Sequence, residues 1–560
     1  MKAKKILVTL LAAAMTVSAF TACGGSGKET GSTGGSASSG SKPAASTDSA
    51  ASESGEAETP SYVNATGLPI VNEPITLKMM VVKNVSDLGK SWNEKECVQR
   101  AVEETGINFE FTEISQAAWS EQIGVTLAGG DLPDVIVGSI SNFAAYTESI
   151  QPLNDLLDAY APNLTAFYEE HPELKIAGTM EDGNLYSFPL LQQQGYYTHN
   201  NRYAINQEWL DNIGMEIPTT QDELYAVLKA FKEKDANGNG DPNDELPISF
   251  TGNTAVALDE NSYGMNFLMN SCGVHSVKYV QVDDGVVSFA PTSPEYRQFL
   301  EFANKLYTEG LIDPDSFVQQ FPDFTAKGNA DRIGIVAHHS YLDIVVGAQN
   351  MEKYSILLPT EDANGNITVT GRSVDGDWVY DCYKISKNSQ YAEAAVRLYD
   401  YVISSEELVT LWSWGPEGKV YTVNDQGQKV RVSEFTDGMT SFAQARQTYG
   451  AGMSGFWIYP KDMYQSWVMQ PRDQLMDDFE EAYTPYLCEP MPLGIDKQEV
   501  VDRRADQFTE INTYIQNFTA ESIMKGIDDS DWEKHLKTCE NLDVATYTQD
   551  YQNFYNDKKA

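Results

Sequence analysis

The chain has 560 residues, of which 41% are hydrophobic and 11% aromatic. This length exceeds what one compact core usually holds, so at least two lobes are expected. The formal net charge is -42, from 39 basic and 81 acidic side chains. Such a field repels phosphate backbones and anionic membrane surfaces, which disfavours nucleic-acid binding and suits a soluble protein with a neutral or cationic ligand.

The first 23 residues have the pattern of an export signal. Three lysines lie among the first five residues, and the apolar stretch Ile6 to Ala19 that follows is too short to span a bilayer. The stretch ends in FTAC, residues 20 to 23, which resembles a bacterial lipobox. This motif predicts that Cys23 becomes the lipidated first residue, and the alternative is plain cleavage and secretion.

Residues 24 to 60 are rich in Gly, Ser and Ala and almost free of apolar side chains. Such a composition cannot bury a core, so this segment is predicted to be a flexible tether. An anchor, a tether and a large body predict a protein held at the outer face of the cell membrane. The remaining cysteines are far apart and form no CxxC pair, so they indicate no zinc site and select no disulfide: Cys97, Cys272, Cys382, Cys488 and Cys539.

Alternating strand and helix patterns predict an α/β body with a parallel sheet. The predicted strands are 75–82, 107–113, 135–137, 332–337 and 378–385. The predicted helices are 92–104, 118–128, 222–233, 294–309, 389–403 and 497–520. Periodicity alone therefore indicates an α/β protein of more than one lobe.

Four segments together resemble the extracellular solute-binding proteins of ABC importers, family 1, and above all their large Gram-positive lipoproteins. These segments are GGDLPDVIVG (129–138), DGNLYSFPL (182–190), NQEWLDNIGMEIPTTQDELYAVLKAFKEKDANGNGDPNDELPISF (206–250) and YKISKNSQYAEAAVRLYDYVISSEE (383–407). The resemblance implies a two-lobe, periplasmic-binding-protein-like fold whose ligand cleft lies between lobes joined by crossing strands. On this basis residues 61–195 and about 325–390 are assigned to the N-terminal lobe, and residues 196–324 and about 391–560 to the C-terminal lobe.

The resemblance also implies a function. The chain is predicted to capture a solute, with an oligosaccharide as the leading candidate, and to deliver it as a monomer to the permease subunits of an ABC transporter. Two alternatives share these sequence features: a surface carbohydrate-binding or sensing lipoprotein that feeds no importer, and an anchored glycoside hydrolase. The hydrolase would need two carboxylates flanking the cleft, and nothing in the sequence singles out such a pair.

The stretch DANGNGDPNDE, residues 235 to 245, is predicted to hold a structural calcium ion. Its first half matches the EF-hand pattern, because oxygen-bearing side chains alternate and a glycine stands where the loop must turn sharply. The second half departs from that pattern, since Leu246 stands where an EF-hand has glutamate. The predicted ligand residues are Asp235, Asn237, Asn239, Asp241, Asp244 and Glu245.

The alternative for this loop is a solvated turn. Residues 362 to 366 repeat the letters DANGN, but Ile367 and Thr368 follow them and no further acids lie near. That second copy is predicted to be a hairpin turn.

Catalytic motifs are missing from the sequence: it contains no GxSxG, HExxH or Walker-type phosphate loop. No catalytic residue is therefore predicted. Aromatic side chains in loops or at strand edges are the candidate ligand contacts, because sugar rings stack on aromatic planes. They are Trp378, Trp412, Trp414, Tyr196, Tyr197 and Trp457, with core packing as the alternative for each.

If Cys23 carries the lipid anchor, Cys23→Ala should release the protein into the medium without impairing its folding, because only the attachment site is lost. Membrane and medium fractions of cells expressing both forms measure this. Unchanged membrane retention of the variant would contradict the lipobox interpretation.

Overall fold

The computed structural model describes residues 59–89, 91–193, 199, 201–251, 265–338, 342–372, 377–436 and 438–559. The predicted lipidation site Cys23, the tether up to residue 58, and the candidate ligand contacts Tyr196 and Tyr197 lie outside the described residues. None of the described helices is long and apolar enough to cross a membrane.

Strands of the described residues are, in chain order, β1 (Ile75–Lys83), β2 (Ile107–Ser115), β3 (Val135–Val137), β4 (Phe188–Gln192), β5 (Arg202–Asn206), β6 (Leu246–Ser249), β7 (Val280–Asp283), β8 (Val286–Phe289), β9 (Ile333–His338), β10 (Tyr354–Ile356), β11 (Asp377–Ile385), β12 (Tyr421–Val423), β13 (Lys429–Arg431) and β14 (Ile458–Tyr459).

The α-helices are α1 (Glu96–Thr105), α2 (Trp119–Gly129), α3 (Asn154–Tyr160), α4 (Pro162–Glu170), α5 (Pro172–Gly178), α6 (Gln207–Ile213), α7 (Gln221–Glu233), α8 (Asn266–Asn270), α9 (Pro294–Thr308), α10 (Phe321–Asn329), α11 (Leu342–Val346), α12 (Ala392–Val402), α13 (Glu406–Ser413), α14 (Phe442–Tyr449), α15 (Pro471–Tyr483), α16 (Gln498–Lys525), α17 (Asp529–Asn541) and α18 (Val544–Lys559). Every strand and helix predicted from the sequence overlaps one of these elements, so the predicted α/β class is confirmed.

The first sheet has six strands in the order β14-β4-β11-β3-β1-β2. Strand β1 pairs in parallel with β2 and with β3, as the alternating pattern predicted. Strand β11 enters between β3 and β4 and runs antiparallel to both. The alternation of β1 places Met79 and Val81 in one core cluster and Met80 in another, so both faces of this sheet are covered.

The second sheet has the order β10-β5-β9-β6. Strand β9 is its centre, because it pairs antiparallel with β5 and parallel with β6. Helix α7 leads into β6 and is well capped: the Thr220 side chain accepts from the backbone N–H of Glu223, whose carboxylate reaches back to Thr220. This sheet and its helices form a separate core that includes Trp209, Phe231 and Ile335.

Lobe membership differs from the sequence assignment in two segments. Residues 325–390 were assigned to the first lobe, but β9 and β10 both hydrogen-bond to β5 of the second sheet. Residues from 391 onward were assigned to the second lobe, but α12, α13 and β14 pack in the core of the first. The reason is that strand pairing is long-range, so local periodicity finds a strand without revealing which sheet it joins.

Among the described residues, strands and helices pass from one sheet to the other at three points of the chain. It leaves the first sheet after β4, returns from the second lobe into β11, and leaves again after β14 towards α15. Tyr483, the last residue of α15, fixes the third crossing because its hydroxyl donates to Leu357 O at 2.9 Å and accepts from the backbone N–H of Tyr203, also at 2.9 Å. Three crossings agree with a two-lobe protein whose lobes move about a hinge.

The C-terminal helices belong to the second lobe. The hydroxyls of Tyr296 and Thr519 lie 2.5 Å apart, which joins α9 to α16. His535 of α17 stacks on Phe518 at 3.9 Å between ring centroids, and its Nε2 donates to Pro291 O at 2.8 Å. Burial lowers the pKa of His535 to about 4, because a charged imidazole loses its hydration there.

We predict that the second lobe loses stability as the pH falls from about 6.5 to 4. In this range the unfolded chain binds a proton at His535 and the folded chain does not, so the free energy of unfolding decreases by up to about 1.4 kcal/mol per pH unit. Urea denaturation at pH 7 and pH 5 measures the slope. His535→Phe keeps an aromatic ring but cannot titrate, so its slope should be smaller; an equal slope in both proteins would contradict the prediction.

Candidate functional site

One edge of the first sheet gathers the carboxyl ends of five strands, β1, β2, β3, β4 and β14. Strands β1, β2 and β3 are parallel, and the register of β11 with β3 and β4 brings the end of β4 to the same edge. The first crossing leaves the sheet from β4, so this edge faces the second lobe. Ligands of open α/β sheets bind outside the carboxyl ends of the strands, which makes this edge the candidate site.

A cavity of about 210 Å³ lies at this edge. Its walls come from the end of β1, from residues directly after β1, β2 and β3, from the start of α2, from β4 and β11, and from the turn before β14. They are Val82, Asn84, Gln116, Trp119, Gly138, Ser139, Leu190, Val379, Cys382, Met453, Ser454 and Gly455. Mostly apolar walls with a few amide and hydroxyl groups suit an uncharged polar ligand.

Trp119 forms one wall of this cavity. It is the first residue of α2, one short 3-10 turn (Gln116–Ala118) after the end of β2, and its Nε1 donates to Ser139 O at 2.6 Å. Gly138 lets the indole come this close: its φ is +135°, and a Cβ there would lie 2.7 Å from the ring of Trp119 and 2.8 Å from Val82. The sequence prediction of ligand contacts missed Trp119; its place at the start of a predicted helix that follows a predicted strand was the available signal.

Two buried charges support the base of the cavity. Lys384 of β11 is fully buried and donates through Nζ to Gly138 O at 2.5 Å. Asp381, 3.8 Å from the same Nζ, accepts from the backbone N–H of Ile140 at 2.7 Å. Burial lowers the pKa of Lys384, and the nearby Asp381 opposes this. These contacts hold the turn that follows β3 in place.

Trp412 and Trp457 are core residues in this structure, which corrects their assignment as ligand contacts. Trp412 was placed in a loop from the sequence, but α13 extends past it, and only 1% of it is exposed. The helix forms because Ser405 caps it and its apolar residues recur on one face. Trp457 is fully buried and donates to Gly452 O at 3.0 Å.

Trp414 lies in an aromatic cluster behind the cavity. It is 4% exposed, and its ring centroid is 5.1 Å from that of Trp467. The guanidinium of Arg446 lies 4.0 Å from the ring of Trp414, donates to Ser413 O at 2.9 Å, and reaches the Met453 sulfur in the cavity wall. Trp414 therefore supports the wall through Arg446 rather than lining it.

Trp378 is half-buried at the start of β11 and packs against the core of the first lobe. Its Nε1 is buried and has no hydrogen-bond partner among the described residues. The next residue, Val379, lines the cavity. Of the tryptophans predicted to contact the ligand, Trp378 therefore remains a candidate, because it directly precedes a residue of β11 that lines the cavity.

Polar side chains lie at the edge of the second sheet where the chain arrives from the first lobe. Arg202 opens β5 where the chain arrives from the first lobe, and it is paired in register with His338 at the end of β9. The imidazole of His338 stacks on Phe321, with centroids 4.9 Å apart and 37% of Phe321 exposed. His199, at the first crossing, is fully buried, and burial and the nearby Arg202 lower its pKa to about 3, so it is neutral at physiological pH.

A larger cavity, of about 730 Å³, lies where the lobes meet. The first lobe contributes the end of α5 and the residues after it, and the second contributes α16 and α18. Lys497 forms an ion pair with Glu181 at 3.1 Å across this junction, and Gln498 donates to Asn142. Ile495 packs against the second core cluster of the first lobe. The C-terminal helices therefore touch both lobes.

The loop of residues 235 to 245 has a fold that suits a cation. The backbone N–H groups of Asn239 and Asp241 donate to the side chains of Asn237 and Asn239, at 3.0 and 2.7 Å, which winds the loop inward. Glu245 is 2% exposed and its Oε1 accepts from the backbone N–H of Ala236 at 3.0 Å. Within the part of the chain that the structure describes, its second oxygen is buried without a partner, and so is Oδ1 of Asp235.

These oxygens fit calcium, because a bound cation would satisfy the two buried carboxylate oxygens that have no partner among the described residues. Burial raises the pKa of Glu245, and the charge of Asp244 adds to this effect. Among the described residues, no group of three or more His, Cys, Asp and Glu side chains is arranged to hold a metal ion. A complete ligand set would therefore need the amide oxygens of Asn237 and Asn239, together with a backbone carbonyl near Asp241.

The second DANGN copy is a turn, as predicted. The Asp362 side chain accepts from the backbone N–H groups of Asn364 and Asn366, at 2.8 and 2.9 Å. The backbone N–H of Asp362 also donates to Asn366 O at 2.9 Å, which closes the turn.

Comparison with known proteins agrees with this geometry. The bacterial extracellular solute-binding protein family matches residues 91–408. The fructooligosaccharide ABC transporter substrate-binding protein FusA of Streptococcus pneumoniae is 28% identical over 510 residues, which cover 88% of this chain and 92% of FusA. A structure of FusA in complex with kestose has a TM-score of 0.73 at 27% identity and covers 87% of this chain and 99% of that one.

Two further structures are similar. One is a FusA EF-hand mutant in complex with fructo-nystose, again with a TM-score of 0.73, 27% identity, and coverage of 87% of this chain and 99% of that one. The other is an HMO-binding, ABC-transporter-associated solute-binding protein from Bifidobacterium longum infantis. It has a TM-score of 0.74 at 23% identity, covers 87% of this chain and 99% of that one, and supports the two-lobe fold.

We predict that Gly138→Ala lowers the free energy of unfolding by about 1–3 kcal/mol, because its Cβ would collide with Trp119 and Val82. Gly124→Ala is the matched control: it lies inside α2, and a Cβ added there would meet nothing within 4 Å, so it should stabilise by about 0.5–1 kcal/mol. Urea denaturation measures both. Effects of the same sign would contradict the proposed close approach of Trp119.

Proposed function

This chain belongs to the bacterial extracellular solute-binding proteins, and from that premise we propose that it captures an oligosaccharide outside the cell and passes it to an ABC transporter permease. The observation that carries the proposal is the cavity at the carboxyl ends of β1, β2 and β3, at the edge that faces the second lobe. No catalytic residue is needed for this role.

The chemistry of the two facing edges supports an oligosaccharide. The first lobe offers the indole of Trp119 with the amides of Asn84 and Gln116, and the second offers the aromatic ring of Phe321 stacked on His338. Sugar rings have apolar faces that pack on aromatic planes and hydroxyls that need amide partners. The similarity to FusA favours a fructooligosaccharide, with kestose as the first probe.

The mechanism follows from the crossings. A solute held by one lobe gains further contacts when the second lobe closes on it, so binding shifts the population towards the closed form. Lys497 and Glu181, which pair across the lobe junction, belong to the contacts that change when the lobes separate. The closed, loaded protein is the form that the permease would receive.

The proposal predicts that kestose raises the melting temperature, since a ligand that binds only the folded state stabilises it by about 2.7 kcal/mol at 100 times its Kd. A thermal-shift series with kestose, nystose and sucrose, with maltotriose as a control of similar size, measures this. Stabilisation by maltotriose alone would replace the fructan assignment with another sugar. No shift with any oligosaccharide would contradict the function.

We also propose that the loop of residues 235 to 245 binds a structural calcium ion, through Asp235, Asn237, Asn239, Asp241, Asp244 and Glu245. The two buried oxygens without partners support it, as does the EF-hand of FusA. The ion would join the end of α7 to the start of β6, and Arg332 already fixes the same corner by donating to Asp244 O at 3.0 Å. Because extracellular calcium is typically millimolar, a site of modest affinity would stay occupied.

Removing calcium should therefore lower the melting temperature, and Asp235→Ala should abolish the difference between calcium and chelator. Asp362→Ala is the matched control, because the same five letters surround it: it should lose some stability but keep the full calcium response. Melting curves of the three proteins in calcium and in chelator measure this. If the melting temperature of the wild type is the same in calcium and in chelator, the loop binds no calcium and is a solvated turn.

Location completes the proposal. The lipobox-like FTAC and the tether of residues 24 to 60 would keep a monomer of this protein at the outer face of the membrane, within reach of the permease. The tether leaves the two lobes free to open and close.

A further inference from the structure

Two loops of the first lobe contribute to the border of the cavity. One follows β1 and includes Asn84; the other precedes β14 and includes Met453. The first loop buries little apolar surface, because Val85 is 76% exposed and Leu88 is 47% exposed. Apolar packing alone therefore does not explain how this loop keeps its place.

Lys95 lies between these loops and contacts both. Its Nζ is 2.8 Å from Gln447 O and 3.2 Å from Thr448 O, both in the last turn of α14, and 2.9 Å from Gly450 O, where the second loop begins. It also forms an ion pair with Asp87 of the first loop at 2.9 Å. Lys95 does not line the cavity itself.

The surroundings of this ammonium group are closed to water. The side chains of Lys95 and Asp87 are only 1% and 4% exposed. Burying an ion pair brings little net stability, since the loss of hydration offsets the attraction, but removing one partner is strongly unfavourable. The ion pair of Lys95 and Asp87 therefore adds little to the stability of the fold. Its main effect is to fix the distance between the two loops.

We propose that Lys95 is a positioning residue for the solute site: it fastens the loop of residues 84–89 to the last turn of α14 and the start of the loop of residues 450–455, and so sets the relative position of these two parts of the cavity border. The inference rests on the proposed function for its effect on binding, but the fastening of the loops stands on the contacts alone. A second contact runs parallel to it, because the backbone N–H of Leu88 donates to Thr448 Oγ1 at 3.3 Å.

Arg397 provides a matched control in the same lobe. It is also buried, at 7% exposure, and donates to backbone carbonyls, those of Asn64 at 3.2 Å and Gly67 at 2.5 Å. The loop that it holds contributes nothing to the cavity wall. A change at Arg397 therefore reproduces the loss of a buried cation without touching either bordering loop.

The test combines hydrogen exchange with calorimetric titration of kestose, on the mature chain with Lys95→Met or Arg397→Met. In Lys95→Met, amides of residues 84–89 and 447–455 should exchange about tenfold faster, the equivalent of one hydrogen bond to a charged group, while those of β9 stay unchanged. The Kd for kestose should rise about tenfold for the same reason. Arg397→Met should speed exchange near residues 64–67 and leave the Kd within twofold of wild type.

Unchanged exchange in both bordering loops of Lys95→Met would overturn the proposal, and so would an equal loss of affinity in the two variants. If Lys95→Met does not fold, Asp87→Asn tests the same point: it should loosen residues 84–89 and leave 447–455 unchanged, because the three carbonyl contacts of Lys95 remain. Failure of the wild type to bind kestose would refute the proposed solute, while the exchange data would still decide the role of Lys95.

Discussion

The insertion of β11 between β3 and β4 is the constraint on which the rest of the structure depends. This strand follows the second-lobe strands in the chain. It hydrogen-bonds to β3 and β4, which precede those second-lobe strands in the sequence. It completes the first sheet and supplies Val379 and Cys382 to the cavity, with Lys384 beneath it. One antiparallel strand thus joins the lobes, closes the sheet and supports the site.

Two buried lysines lie beside this site, in a chain whose net charge is -42. Lys95 donates to backbone carbonyls at the end of α14, and Lys384 donates to the carbonyl of Gly138 in the turn after β3. A backbone carbonyl is uncharged at any pH and has no side chain to order. Each lysine can therefore hold a backbone segment in place without an acidic side chain in the cavity wall. The walls remain mostly neutral, which suits a sugar rather than an ion.

Local patterns in the sequence predicted the strands and helices, because hydrophobic periodicity depends on near neighbours. The two-lobe fold followed from the family resemblance of four segments, and the comparisons bear it out. Lobe membership of β9, β10, α12 and α13 was wrong, since it depends on pairing between distant segments. Trp412 was assigned to a loop because Gly415 and Pro416 follow it closely, but α13 continues to Ser413. Trp119 was missed because a lone tryptophan on a helix usually packs in a core.

The order of segments has a consequence for secretion. An exported chain emerges from its amino end, so β1 to β4 reach the outside long before β11, which begins at Asp377. Until then the facing edges of β3 and β4 lack the strand that separates them, and unpaired edges are prone to wrong pairing. The strands β5, β6, β9 and β10 all emerge within this interval. The second sheet can therefore form while the first sheet still lacks β11. The first sheet of this protein is therefore complete only after the strands of the second lobe have emerged.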